Sequence, residues 1–270
     1  MTSSGKRVSV SIEPLHYADI SACARITSSA FSVDPHTIVK QLGRKPYDMY
    51  AISSSNFLET LHKKTYIYVK AVDRETGEVV GHAGWAFRDV DQALIPWSGP
   101  ADVKPVEKAQ EQDRGRSDSE GSKDEAKKDS GAGEEKSSID RLHALENADM
   151  KYWMSNIVPS STPCMFIVGV TVSPSHQSRG VGSALIRHGS AIADDLGLPI
   201  WVHSSHQAYE AYRKSGFDTI RELGIDLDEY APRAPQEGEE VMGEKGSGKW
   251  GRYVIRYMKR IPKKEGNSGS

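Results

Sequence analysis

Cysteine is nearly absent: Cys23 and Cys164 are the only two in 270 residues. Two thiols so far apart argue against a disulfide framework, offer no metal-ligand spacing and suit a reducing compartment. No run approaches the roughly 18–20 apolar residues that a membrane-spanning helix requires. The opening "MTSSGKRVSVSIEPL" also lacks the apolar stretch of a secretory signal. An excess of one charge is missing too, since 35 Lys+Arg face 37 Asp+Glu for a formal net charge of −2. That balance argues against a nucleic-acid binder held by its overall field. The expectation is a cytoplasmic protein, the nucleus remaining open, with no metal, no nucleic-acid partner and no membrane partner. Nothing in the sequence addresses its oligomeric state.

One absence is local. Residues 101–138 contain no Leu, Ile, Phe, Tyr, Trp or Met, while 19 of the 38 are charged. Such a segment cannot bury enough apolar surface to offset its ordering entropy, so a disordered insert is expected there. A second soft stretch, 231–249, is expected to be a flexible loop before the last strand. Its Gly243, Gly248 and Lys249 imitate a phosphate-binding loop, but Trp250 stands where a hydroxyl is needed and no buried strand precedes it. A single domain over 1–265 accommodates both segments.

The remaining patterns alternate between strand and helix. Period-two alternation predicts a strand over 7–13, and helical spacing predicts helices over 17–31, 35–42 and 47–62. "TYIYVKAVDRETGEVVGHAGWAF" reads as a hairpin turning at Gly77. A helix is expected over 139–156, then the apolar strand "CMFIVGVTV", a helix, the short strand "PIWVHS" and a helix near 207–215. Two final strands flank the second soft stretch. The fold class is α/β with a mixed sheet, part antiparallel and part parallel, and helices on its faces.

The most informative stretch is "VGVTVSPSHQSRGVGSALIRHG". A buried strand ends at Pro174, a polar turn follows, and apolar residues from Leu185 onward resume at helical spacing. Gly180 and Gly182 therefore fall at the start of a helix, where glycine costs about 1 kcal/mol of propensity. A helix start presents unpaired N–H groups and a positive dipole end, which suits a phosphate. Glycine removes the Cβ that would hold phosphate oxygens away. A tight turn or close helix–sheet packing also explains a glycine pair. The dinucleotide fingerprint requires a third glycine where Leu185 stands.

"QSRGVGSA", Gln177–Ala184, resembles the Q/R-x-x-G-x-G/A signature of the GNAT superfamily of acyl-CoA-dependent N-acetyltransferases. About thirty residues later, "AYEAYRKSGF" resembles that family's A-x-x-x-Y-x-x-x-G-F element at Ala208, Tyr212, Gly216 and Phe217. The resemblance is strong over 166–220 and looser in the N-terminal part. It implies a GNAT-like fold, with a mostly antiparallel sheet, one splayed parallel strand pair and helices on both faces. It implies acetyl-CoA as co-substrate and an amine as acceptor.

By position, Gln177, Ser178, Arg179, Gly180, Val181, Gly182 and Ser183 would wrap the pyrophosphate with backbone amides. Val170, Thr171 and Val172 would bond the pantetheine arm, and Ser205 stands where the family often has Asn. Tyr212 matches the tyrosine near the thioester sulfur, the candidate acid. Among histidines, His203 at a strand end is the candidate base, His206 is its neighbour, and His82 and Trp85 are placed on the acceptor side. A small-molecule amine is preferred to a protein acceptor. The alternative from another class is a noncatalytic acyl-CoA-binding module that keeps the fold and has lost the acceptor site.

Overall fold

The computed structural model describes residues 6–104 and 137–263. Seven strands form one sheet in the order β1-β2-β3-β4-β5-β7-β6. β1 (Val10–Pro14), β2 (Tyr66–Asp73), β3 (Val79–Arg88) and β4 (Cys164–Val172) are successive antiparallel neighbours. β5 (Ile200–Ser204) runs parallel to β4, and β7 (Arg252–Arg260) and β6 (Asp218–Asp226) complete the sheet antiparallel. This is the expected mixed sheet.

Strand periodicity assigns the two faces. Along β2, Ile67, Val69 and Ala71 pack with α5 (Val181–Asp195), while Tyr68 joins the cluster under α1 (Ile20–Phe31) and α3 (Met49–Thr60). α2 (Pro35–Gln41) has its N-terminus capped by the Asp34 carboxylate, which accepts from the Thr37 N–H at 2.9 Å. Trp85 corrects the expectation that it lines the acceptor side. It is fully buried in the α5-side core, because residues an odd number apart on a strand face opposite ways. His82 does face α1. A Cβ at Gly189 would overlap the Trp85 indole, so that glycine is what lets α5 lie close on β3.

α4 (Ser138–Tyr152) starts with a capping box between Ser137 and Asp140 and runs into a π-helical turn, Trp153–Ile157. It packs Ile139 and Leu142 against Val39, Ile225 and Trp250, covering the β6–β7 end of the sheet. α6 (Tyr209–Lys214) follows β5.

Most of the charged insert, 105–136, lies outside the described residues. Its entry does not: the Asp102 carboxylate accepts from the N–H groups of Tyr17 at 2.8 Å and Ala18 at 2.7 Å. The 231–249 segment has no helix or strand and is tied down at two places. Arg233 pairs with both oxygens of Glu239 at 2.7 and 2.8 Å, and the Trp250 indole N–H donates to the Arg233 carbonyl at 2.7 Å. No helix among the described residues is long and apolar enough to cross a membrane.

Candidate active site

β4 and β5 pair at only two positions, Met165 with Ile200 and Phe166 with Trp201. Beyond them the strands part, and the β5-facing edge of β4 from Ile167 to Val172 has no strand partner. The opposite edge stays paired with β3, but the register jumps from Gly84–Gly169 to Trp85–Ile167, leaving Val168 as an extra residue. Such a bulge bends its strand and interrupts the ladder. Val168 is consequently exposed beside the opening. An unpaired run of backbone N–H and C=O groups is an edge on which an extended amide-bearing chain can add as a further strand.

The free edge leads into the loop ahead of α5. Gln177 donates its side-chain amide to the Val172 carbonyl at 3.2 Å, tying the loop to the strand end. Ser178 and Gly180 both have left-handed backbones, with φ of 57° and 94°. Gly180 is the N-cap of α5 and supplies no side-chain cap, so the first-turn amides of Val181, Gly182 and Ser183 have no acceptor within the helix. The two glycines have different causes. Gly180 is required by its positive φ, and a Cβ there would stand 3.3 Å from the Arg7 side chain. Gly182 has ordinary helical geometry, and a Cβ would meet only Val172 Cγ2 at 3.6 Å. Nothing among the described residues requires glycine at 182.

The Arg179 side chain holds the N-terminal segment. Its Nε donates to the Lys6 carbonyl at 3.0 Å, while its own carbonyl accepts from the Val8 N–H at 3.1 Å. This is why β1 begins at Val10 rather than near residue 7: residues 6–8 are bonded to the α5 loop instead of to β2.

A cavity of about 630 Å³ opens beside the splay. It brings together Val170, Thr171, Ser205, Tyr212, His203 and His82. Val172 and the residues from Gln177 to Ser183 are not in its lining; they continue from its β4 wall to the start of α5. Tyr212 is 4% exposed, packs edge-on against Phe217 with ring centroids 5.3 Å apart, and has no hydrogen-bond partner among the described residues. Burial pushes its phenol well above the ordinary value.

His82 and His203 are held neutral. Burial pushes His82 down to about 4, opposed by its contact with the Cys23 carbonyl. Thr27 Oγ1 donates to that carbonyl at 3.1 Å and accepts from His82 Nε2 at 2.8 Å, which fixes the ring. His203 reaches solvent through the cavity yet is walled by Tyr257, whose ring centroid is 5.1 Å away. Desolvation leads its shift to about 4, with Glu146 opposing and His36 reinforcing it. His206 is not in the cavity lining; its backbone N–H donates to the Tyr253 hydroxyl at 3.3 Å, and its buried Nδ1 has no partner among the described residues.

His82 links this site to stability. Its folded pKa of about 4 lies below the ordinary 6.5. The unfolded chain therefore takes up the proton first, and stability present above pH 6.5 is lost as pH falls toward 4. The shift corresponds to about 3 kcal/mol at the acid end of that window. Urea midpoints measured from pH 7 to 4 should fall, and should fall less steeply in His82→Gln, which keeps a donor for Thr27.

Sequence reasoning missed Asp34. It is 8% exposed, lines the cavity and gathers four donors: Thr37 N–H at 2.9 Å, Thr37 hydroxyl at 2.8 Å, Gln207 Nε2 at 2.7 Å and Tyr253 hydroxyl at 3.1 Å. It missed Glu146 as well, where contacts with His36 and Lys40 outweigh burial and bring the carboxyl down to about 2. The only local sign of either was the D-P pair at 34–35, a helix start.

Residues 148–217 match the Acetyltransferase (GNAT) family. That span takes in β4, the Gln177–Ser183 loop, α5, β5 and α6, so the resemblance carried by the two motifs is upheld. No curated protein matches the chain. Among solved structures, arylalkylamine N-acetyltransferase 2 from Aedes aegypti is similar over 94% of this chain and 99% of its own, with 12% identity and a TM-score of 0.51. The histone acetyltransferase HPA2 and related acetyltransferase structure from Corynebacterium glutamicum is 18% identical, over 94% and 97%, with a TM-score of 0.49. At 12% identity the mosquito enzyme establishes a shared fold, the expected GNAT-like one.

Proposed function

Taking the GNAT acetyltransferase match over residues 148–217 as premise, we propose that this protein is a single transferase domain that moves an acetyl group from acetyl-CoA to a primary amine by direct attack. The observation that carries the reading is the early parting of β4 and β5. It leaves a bare strand edge, Ile167 to Val172, running along a cavity of about 630 Å³ toward the free amides of α5. Pantetheine carries two amides and suits that edge at Val170, Thr171 and Val172. The pyrophosphate suits the α5 start, where Gly182 leaves the amides uncovered. Ser205, whose hydroxyl accepts from the Ala208 N–H at 3.3 Å, flanks the arm from the β5 side.

In the transfer the amine nitrogen bonds to the acetyl carbon as the carbon–sulfur bond breaks. Tyr212 donates a hydrogen bond to the departing sulfur, and the absence of a protein partner for its hydroxyl supports that role. His203 receives the amine's proton and passes it to solvent. Its depressed basicity limits that contribution, because a general base works best with a pKa near the working pH.

The test is a thermal-shift titration with acetyl-CoA followed by a CoA-release assay across primary amines. Stabilisation by acetyl-CoA with turnover of at least one amine class is expected. Stabilisation with no turnover of any amine would establish the noncatalytic module instead. No stabilisation would remove the cofactor reading altogether.

A further inference from the structure

A second cavity of about 410 Å³ adjoins the first, and Phe31, Thr37, Tyr47 and Met49 line both. It extends between α1 and α2 to the 231–249 segment, where Gln41, Asp48 and Glu239 face it. Three carboxylates therefore face the paired spaces: Asp34 in the first, Asp48 and Glu239 in the second. Glu239 is neutralised by Arg233. The first cavity's lysine, Lys40, is bound to Glu146 at 2.8 Å, and His36 contacts the same carboxylate.

Asp34 and Asp48 have no ion-pair partner among the described residues. Each caps a helix, Asp34 that of α2 and Asp48 that of α3, where its Oδ1 accepts from the Ala51 N–H at 3.1 Å. A helix start offers only about half a positive charge. Each aspartate thus leaves a net negative charge, one per cavity, and the Phe31, Tyr47 and Met49 side chains between them present apolar surface.

We infer that the two cavities form one acceptor site for an extended diamine, with the reacting nitrogen in the first and a second ammonium beside Asp48. The methylene chain between them lies along Phe31, Tyr47 and Met49. The inference rests on the amine-transfer reading above and narrows its substrate class.

The experiment compares kcat/KM for linear α,ω-diamines with the n-alkylamine of each matching length, at saturating acetyl-CoA. Above a threshold length, the diamine should be preferred by about three- to fivefold, the worth of an ion pair at an exposed carboxylate such as Asp48. Asp48→Asn keeps a good N-cap and should collapse that preference. Ser28→Tyr, at a position lining only the second cavity, should penalise long amines more than short ones. Equal turnover of diamines and alkylamines at every length, or a preference untouched by both variants, would overturn the inference and leave amine transfer standing. Turnover of no amine would overturn both.

Discussion

Gly182→Leu is expected to weaken acetyl-CoA binding by about a hundredfold, or roughly 2.7 kcal/mol, without unfolding the protein. The size follows from what the side chain would cover. Charge-assisted hydrogen bonds contribute about 1.5–3 kcal/mol each, and a leucine over the first turn of α5 displaces the phosphate from one of them. The structure separates this effect from folding. A Cβ at Gly182 meets only Val172, at 3.6 Å, and the backbone there is ordinary helix. Gly182→Ala should therefore hold or raise the melting temperature, since alanine is favoured over glycine by up to about 1 kcal/mol in a helix. Gly180→Ala should behave in the opposite way. Its φ of 94° is left-handed, so alanine costs about 1–2 kcal/mol whether or not a ligand is present. Calorimetric titration together with thermal melts reads both quantities. An unchanged dissociation constant in Gly182→Leu sinks the phosphate assignment.

The contrast between the two glycines shows what the sequence could and could not say. The strand–turn–helix around them was legible because all its determinants are local: an apolar run, Pro174 ending it, and helical spacing from Leu185 onward. The β4–β5 splay was available only through family resemblance, since nothing in "PIWVHS" announces that it pairs at two positions and then leaves. Contacts between distant segments were not legible. The Arg179 side chain binds the backbone of residue 6, a bond made across most of the chain that no local pattern announces. Asp34 reads as a helix cap in isolation. Only the fold brings Gln207 and Tyr253 to its other oxygen and sets it in the cavity wall. Trp85 was misplaced for a simpler reason: treating His82 and Trp85 as neighbours on one face ignored strand parity.

Tyr212→Phe should lower kcat by about 10²–10³, within the range that a preorganised hydrogen-bond donor to a developing anion contributes, while KM for acetyl-CoA changes little. Phenylalanine keeps the ring and its edge-on contact with Phe217, so packing is conserved and only the hydroxyl is lost. That hydroxyl has no protein partner to strand. Removing it should leave the melting temperature nearly unchanged, because the hydroxyl lies at the cavity wall and no hydrogen bond within the described residues is lost. Loss of activity together with unimpaired stability is the signature of a group retained for a ligand.

The manner of donation also follows. Burial pushes the phenol pKa upward, so the proton stays on oxygen throughout the usable pH range. A free thiol ordinarily has a pKa of about 8.5, well below this phenol. In the proposed transfer, Tyr212 would thus act by hydrogen-bonding the developing thiolate rather than by surrendering its proton to it. The activity deficit of Tyr212→Phe should accordingly be flat from pH 6 to pH 9, whereas an acid that released its proton would show a limb at its own pKa. It should also shrink when the acetyl donor is a thioester of a more acidic thiol, whose departing sulfur needs less help. A deficit of the same size with both donors would move Tyr212 away from the sulfur and into a purely structural role.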